Sequence, residues 1–159
     1  MSDLAAALQV AIRTHADQRD KQGAPYLLHV LRVVEAVSDE AKVVAALHDV
    51  LEDGDVDVAA TIVACELRTA ESGALALLTR VSKETYAEYI AKIARPLADS
   101  ASGRLAREIK LADLRDNLGR IPPRPCGPEP DDEVRAKGWD ETWPSLKARY
   151  EKAIEILEA

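Results

Sequence analysis

Three histidines occur in the chain, and two of them stand where acids gather. His29 closes the run "QGAPYLLH", His48 and Asp49 are adjacent in "AALHDVLED", and Asp113 ends "REIKLAD". Two imidazoles and two carboxylates make a donor set suited to a borderline or hard divalent ion. Four protein donors would leave two places of an octahedral shell open, one for water and one for a phosphate oxygen. Neighbouring side chains on a helix point about 100° apart, so His48 and Asp49 reach one ion only if it lies near a helix end. Glu52 and Asp53, each four residues further on, repeat the acidic layer on the same faces. Taken singly, these residues have ordinary readings: a core histidine, a capping aspartate, a solvated helix end. Taken together, within apolar runs, they need a common reason, because buried carboxylates are costly unless paired or metal-bound.

The elements that must position them read as helices. Asp3 can cap a first helix reaching about residue 17, with Leu4, Leu8, Ala11, Ile12 and His15 at helical spacing. "DQRDKQGAP" is a loop. Tyr26 to Val37 forms a second helix, and a third runs through Asp53 with Ser38 or Asp39 as its cap. Further helices are expected in "GDVDVAATIVACELR" after a glycine-containing break, in "ESGALALLTRV", in "SKETYAEYIAKIARPLADSA" with a break near Pro96, and in "GRLAREIKLADLRDNLGR", stopping at Gly119. Residues 121–138 hold five of the prolines and read as a long connection, which could lie over the site or simply join two helices. The last helix occupies 139–159, with Pro144 in its first turn and Trp143, Leu146, Tyr150, Ile154 and Leu157 docking it. The expectation is one all-α domain over 1–159, a bundle of seven or eight helices with no sheet.

Composition agrees. The 159 residues are 47% apolar but only 4% aromatic, without Phe, so the core is built of Ala, Leu, Val and Ile. A net charge of −7 argues against a general nucleic-acid or anionic-membrane surface, and a small anionic ligand would need cations supplied locally. Cys65 and Cys126 form no CxxC pair, which fits a reducing compartment. The N-terminal stretch has acids and no basic region, so no signal peptide is expected, no run is long enough to span a bilayer, and the location expected is cytoplasmic.

The ordered series "DKQGAPYLLH", "ALHDVLED", "LTRVSKETYAEYI" and "LAREIKLADLRDN" resembles the HD-domain metal-dependent phosphohydrolases. Within them it is similar to stand-alone relatives of the RelA/SpoT hydrolase domain, which remove pyrophosphate from guanosine tetra- and pentaphosphate. The resemblance runs from residue 8 to about 120. It implies that His29, His48, Asp49 and Asp113 hold a divalent metal, usually manganese in this family. It implies further that Glu52 and Asp53 position or deprotonate the attacking water, that Lys21 is a loop cation near the substrate, and that Asn117 contacts substrate or supports a metal ligand. Arg19 and Arg115 are further candidates to offset substrate charge, and His15 takes a structural place. Two departures stand out. Asp20-Lys21 occupies the place of the family's usual Arg-Lys, which would have contacted base or phosphates, and Asp113-Leu114-Arg115-Asp116-Asn117 stands where the family often reads Asp-Arg-Leu-His-Asn. Neither touches a metal ligand. The resemblance also implies no second, synthetic domain.

The residues leave other readings open: an HD hydrolase of another nucleotide or phosphate ester, a metal-loaded nucleotide-binding module without turnover, or a purely structural helical protein. Oligomeric state is not readable from the sequence.

Overall fold

The computed structural model describes residues 2–53, 57–95, 100–124 and 130–159. Among the described residues the chain is all-α, with one isolated bridge, Arg19 to Pro25, in the loop after the first helix. The helices are α1 (Leu4–His15), α2 (Leu27–Ala36), α3 (Lys42–Leu47), α4 (Val50–Asp53), α5 (Val58–Ala64), α6 (Thr69–Leu78), α7 (Tyr86–Ala94), α8 (Ala101–Gly119) and α9 (Pro130–Glu158). None of the described helices is long and apolar enough to cross a membrane.

The third expected helix is divided into α3 and α4 at His48–Asp49. The reason is local: the His48 ring donates from Nδ1 to the Ala45 carbonyl, 2.7 Å away, which is the acceptor the Asp49 N–H would use in a continuous helix. Neither Ser38 nor Asp39 caps α3, whose N-cap is Ala41. Ser38 bonds Glu108 of α8 through its backbone N–H and its hydroxyl, and Asp39 pairs with Lys42. Elsewhere the caps follow the sequence: Asp3 accepts the Ala6 N–H, and Thr85 and Glu88 form a reciprocal capping box on α7.

α9 starts earlier than expected, so 130–138 are helical rather than part of a connection, and Pro144 lies inside the helix. A proline there removes one rung of the ladder, which the remaining helix and its docking contacts tolerate. Leu146, Ala153 and Leu157 are buried, while Trp143, Tyr150 and Ile154 are half-buried. Of the proline-rich segment, 121–124 is fastened to α9: the Trp139 indole donates to the Pro122 carbonyl and Arg124 pairs with Asp140. Residues 125–129, Cys126 among them, lie outside the described residues. Cys65 is buried and free.

The core joins Val30, Val33 and Val34 of α2, Val43–Leu47 of α3, Leu75 and Leu78 of α6, Ile90 and Ile93 of α7, and Ile109 and Leu114 of α8. α6 and α8 pack very closely. A Cβ at Gly73 would stand 2.5 Å from Ser102 Oγ, so glycine is required for that approach. Glu71, also on α6, is buried yet charged. Its carboxylate accepts the Ser2 hydroxyl, the Arg68 N–H and the Arg68 guanidinium, each at 2.7 Å, and so fastens the N-terminal segment to α6.

Burial alone would raise the Glu71 pKa, but these donors outweigh it and hold it below the usual carboxylate value. A depressed carboxylate contributes stability above its unfolded pKa and loses it as pH falls through the folded one. Glu71→Gln should therefore lower unfolding stability by about 1–3 kcal/mol at neutral pH, and the gap from wild type should narrow on acidification. Urea unfolding at a series of pH values checks both; a pH-independent gap would show that the charge of Glu71 is irrelevant.

Candidate metal centre

The break between α3 and α4 turns His48 and Asp49 toward α2 and the middle of α8. His29 (α2), His48 and Asp113 (α8) are all buried, and one donor atom of each lies within 4.8 Å of the others. Asp49 completes the group: its Oδ2 is 3.0 Å from His48 Nε2 and 3.9 Å from His29 Nε2. Asp113 Oδ1 stands 3.2 Å from His29 Nε2. The four residues expected as ligands are thus brought together at one point, near the end of a helix.

The hydrogen bonds behind the cluster fix its protons. Ala45 O can only accept, so His48 carries hydrogen on Nδ1. His29 Nδ1 lies 2.6 Å from Asp116 Oδ2, a carboxylate that also accepts from Arg32 Nε at 2.6 Å. In both rings Nε2 faces the carboxylates, and both atoms are buried without a well-formed hydrogen bond; the His48 Nε2 carries a proton beside Asp49 that a cation would displace. Two orphaned imidazole nitrogens and two carboxylate oxygens at one buried point suit a divalent cation, and the arrangement of carboxylate, histidine Nδ1 and metal-facing Nε2 is the one that orients histidine ligands.

The carboxylates are held by Tyr26 and Lys110, neither of which the sequence marked as a site residue, and by Asn117, which it did. Tyr26 OH donates to Asp49 Oδ2, and the Tyr26 ring lies between those of His15 and His29, with centroids 5.1 and 5.2 Å away. Lys110 Nζ sits 2.6 Å from Asp113 Oδ2, and Asn117 Nδ2 donates to Asp113 Oδ1 at 2.5 Å. Lys110 therefore belongs to the interior, not to a solvated helix face; its side chain is 12% exposed. Its i, i+3 spacing to Asp113 was the available signal. Burial opposes charge on His48, but Asp49 and Asp113 outweigh it and push the imidazole up to about 9. Against the penalty of burial, His48 and Lys110 keep Asp49, and Lys110, His29 and His48 keep Asp113, well below the usual carboxylate range. The cluster calls for positive charge.

Beside it opens a hollow of about 290 Å³ that shares Tyr26 and Asn117 with the cluster. The loop residues Arg19, Asp20 and Lys21 line one wall, Arg120 another, and Trp143 and Tyr150 of α9 a third. Trp143, expected to dock the last helix, faces this hollow as well. Arg115 does not join the site. It points away to Glu158, 2.7 Å off, with most of its side chain exposed, because two residues along a helix from Asp113 is the opposite face. Glu52 is exposed and accepts the Arg80 N–H at 2.6 Å, lining a second, shallower hollow formed with residues 80–85. The side chain of Asp53 lies outside the described part of the structure. His15 is buried, with Nδ1 2.6 Å from Gln18 Oε1 at the base of the loop.

Asp116→Ala removes the acceptor that orients His29, and should weaken manganese binding about 10–100-fold while the fold persists. Manganese titration followed by electron paramagnetic resonance measures this; undiminished affinity would mean that His29 is not a ligand.

No protein-family profile matches the chain, and no curated protein matches it. Among solved structures, a metazoan orthologue of SpoT that hydrolyses ppGpp and plays a role in starvation responses is similar to it. The similarity covers 97% of this chain and 92% of that one, with 27% identity and a TM-score of 0.61. In fold and in the order of its motifs, the chain resembles the stand-alone SpoT-type hydrolases of the HD group.

Proposed function

We propose that the protein is a metal-dependent phosphohydrolase that removes pyrophosphate from guanosine 3′,5′-bis(diphosphate)-like nucleotides. The observation that carries this reading is the pair of orphaned, buried His29 and His48 Nε2 atoms facing Asp49 and Asp113 beside a cation-lined hollow. The ppGpp-hydrolysing structural neighbour supports the substrate class. His29, His48, Asp49 and Asp113 hold the ion, manganese in this reading, which when bound supplies Lewis-acid polarisation of a phosphoryl oxygen and lowers the pKa of water.

The remaining work falls to the chain's own groups. Glu52 and Asp53 position the attacking water and accept its proton. Lys21 and Asn117 line the hollow and bind the nucleotide, with Arg19 beside them. Lys21 places an ammonium where an anionic substrate enters a protein of net charge −7. Tyr26 and Lys110 hold Asp49 and Asp113 in place with bonds that do not engage the histidine Nε2 atoms. The site is placed in the cytoplasm, with a small nucleotide as the partner.

A second reading, hydrolysis of another nucleotide or phosphate ester by the same centre, draws on Asp20, which puts a carboxylate where the family has a base- or phosphate-contacting arginine. The two separate on product. Pyrophosphate should be released from guanosine tetraphosphate with manganese and stop with chelator. Release from other phosphate esters alone, in a metal-loaded sample, would select the second reading.

Glu52→Gln should keep bound manganese while kcat falls about 10²–10⁴-fold. Loss of the metal in that variant would instead make Glu52 a ligand, and unchanged kcat would remove it from the reaction.

A further inference from the structure

Asp20 and Asp116, one from each of the two segments that depart from the family pattern, meet at the same side chain. Arg120, the C-cap of α8, places Nη1 2.7 Å from Asp20 Oδ2, Nη2 2.7 Å from Asn117 Oδ1 and Nε 2.7 Å from Asp116 Oδ2. Asp116 in turn holds His29, and Asn117 holds Asp113. One guanidinium thus stands between the loop after α1 and two residues of the metal cluster.

Asp20 is built for this. Its Oδ1 accepts the N–H groups of Gln22 and Ala24, each at 2.9 Å, so one oxygen shapes the loop and the other is left for Arg120. The turn passes through Gly23 at φ +83°, a left-handed conformation that glycine adopts without strain. Gln22 adds a second tie, its amide donating to the Arg120 carbonyl. The Asp20 and Arg120 side chains are only 9% and 20% exposed, which sets the pair apart from a solvated surface bridge. The loop it fastens carries Arg19 and Lys21 along the wall of the hollow.

We propose that Arg120 is a positioning residue. It clamps the 18–25 loop over the hollow and ties the loop's placement, through Asp116 and Asn117, to His29 and Asp113. The arginine missing at position 20 is in this way replaced by one reaching across from α8, and Asp20 is the anchor that holds it. A salt link between segments 100 residues apart restrains a loop that has no strand or helix of its own.

The proposal rests on the nucleotide-hydrolase reading for its kinetic arm only. Limited trypsinolysis of the folded protein reads the clamp without substrate, by cleavage after Arg19 and Lys21. Arg120→Gln and Asp20→Asn should each speed that cleavage by about tenfold, the double variant should be no faster than Arg120→Gln alone, and Arg120→Lys should recover part of the protection. Asp20→Asn keeps an oxygen for the loop's own N–H groups, so it tests the link even if Arg120→Gln folds poorly. Arg120→Gln should also weaken manganese binding, whereas Asp20→Asn should not, because only the former loses the contacts to Asp116 and Asn117. With nucleotide, KM should rise in both variants by more than kcat falls. Unchanged cleavage rates, or additive effects in the double variant, would overturn the clamp. If the wild type released no pyrophosphate from guanosine tetraphosphate, the functional reading would fall while the trypsin and manganese measurements still decided the role of Arg120.

Discussion

Two imidazole nitrogens are buried with no hydrogen bond to satisfy them, and much of the surrounding structure is arranged to keep them so. Burying a polar atom unpaired costs free energy, and it persists here because its surroundings fix it from behind. Ala45 O and Asp116 hold the Nδ1 protons of His48 and His29. Asp49 and Asp113, which stand 3.0 and 3.2 Å from the ring Nε2 atoms, are fixed there by Tyr26, Lys110 and Asn117. The result is a preorganised set of donors whose remaining demand is for a cation, and which need not rearrange to receive one.

The bundle supplies the stiffness this requires. α8 carries Asp113, Asp116 and Asn117 on one side and packs against α6 on another, at a separation that only the glycine at 73 allows. Glu71 then joins α6 to the N-terminal segment through a buried, donor-rich carboxylate. Small side chains along these faces, Ala74, Gly103 and Ala106, let the helices approach and leave little room for them to slide.

The helical class and the four clustered residues were legible because their signals are local: periodicity within one helix, adjacency of His48 and Asp49, and the order of short motifs along the chain. What stayed hidden depends on partners far apart in sequence. Tyr26 meets Asp49 at a separation of 23 residues, Asp116 meets His29 at 87, and Arg120 meets Asp20 at 100. No spacing rule reaches that distance, so Asp20 read as a lost cation when it is one end of an ion pair. Arg115 failed for a simpler reason: its type suited an anion, but its place on α8 turned it to Glu158. Pro144 was given to a first turn because proline commonly starts a helix, yet α9 had already begun at Pro130.

The burial of Lys110 beside Asp113 has a consequence for capture. With Asp49 and Asp113 negative and Lys110 and His48 positive, the bare cluster is about neutral, and a divalent ion that displaces the His48 proton leaves a net positive centre. Around it lies a protein of charge −7. At long range an anion is repelled, and at short range, among Lys21, Arg19 and the centre, it is attracted. Dissolved salt screens the far field over roughly 10 Å at 0.1 M and acts less on buried charge. Raising ionic strength therefore eases the approach while loosening the final hold, so the on-rate and the residence time of a polyanion respond to salt in opposite senses.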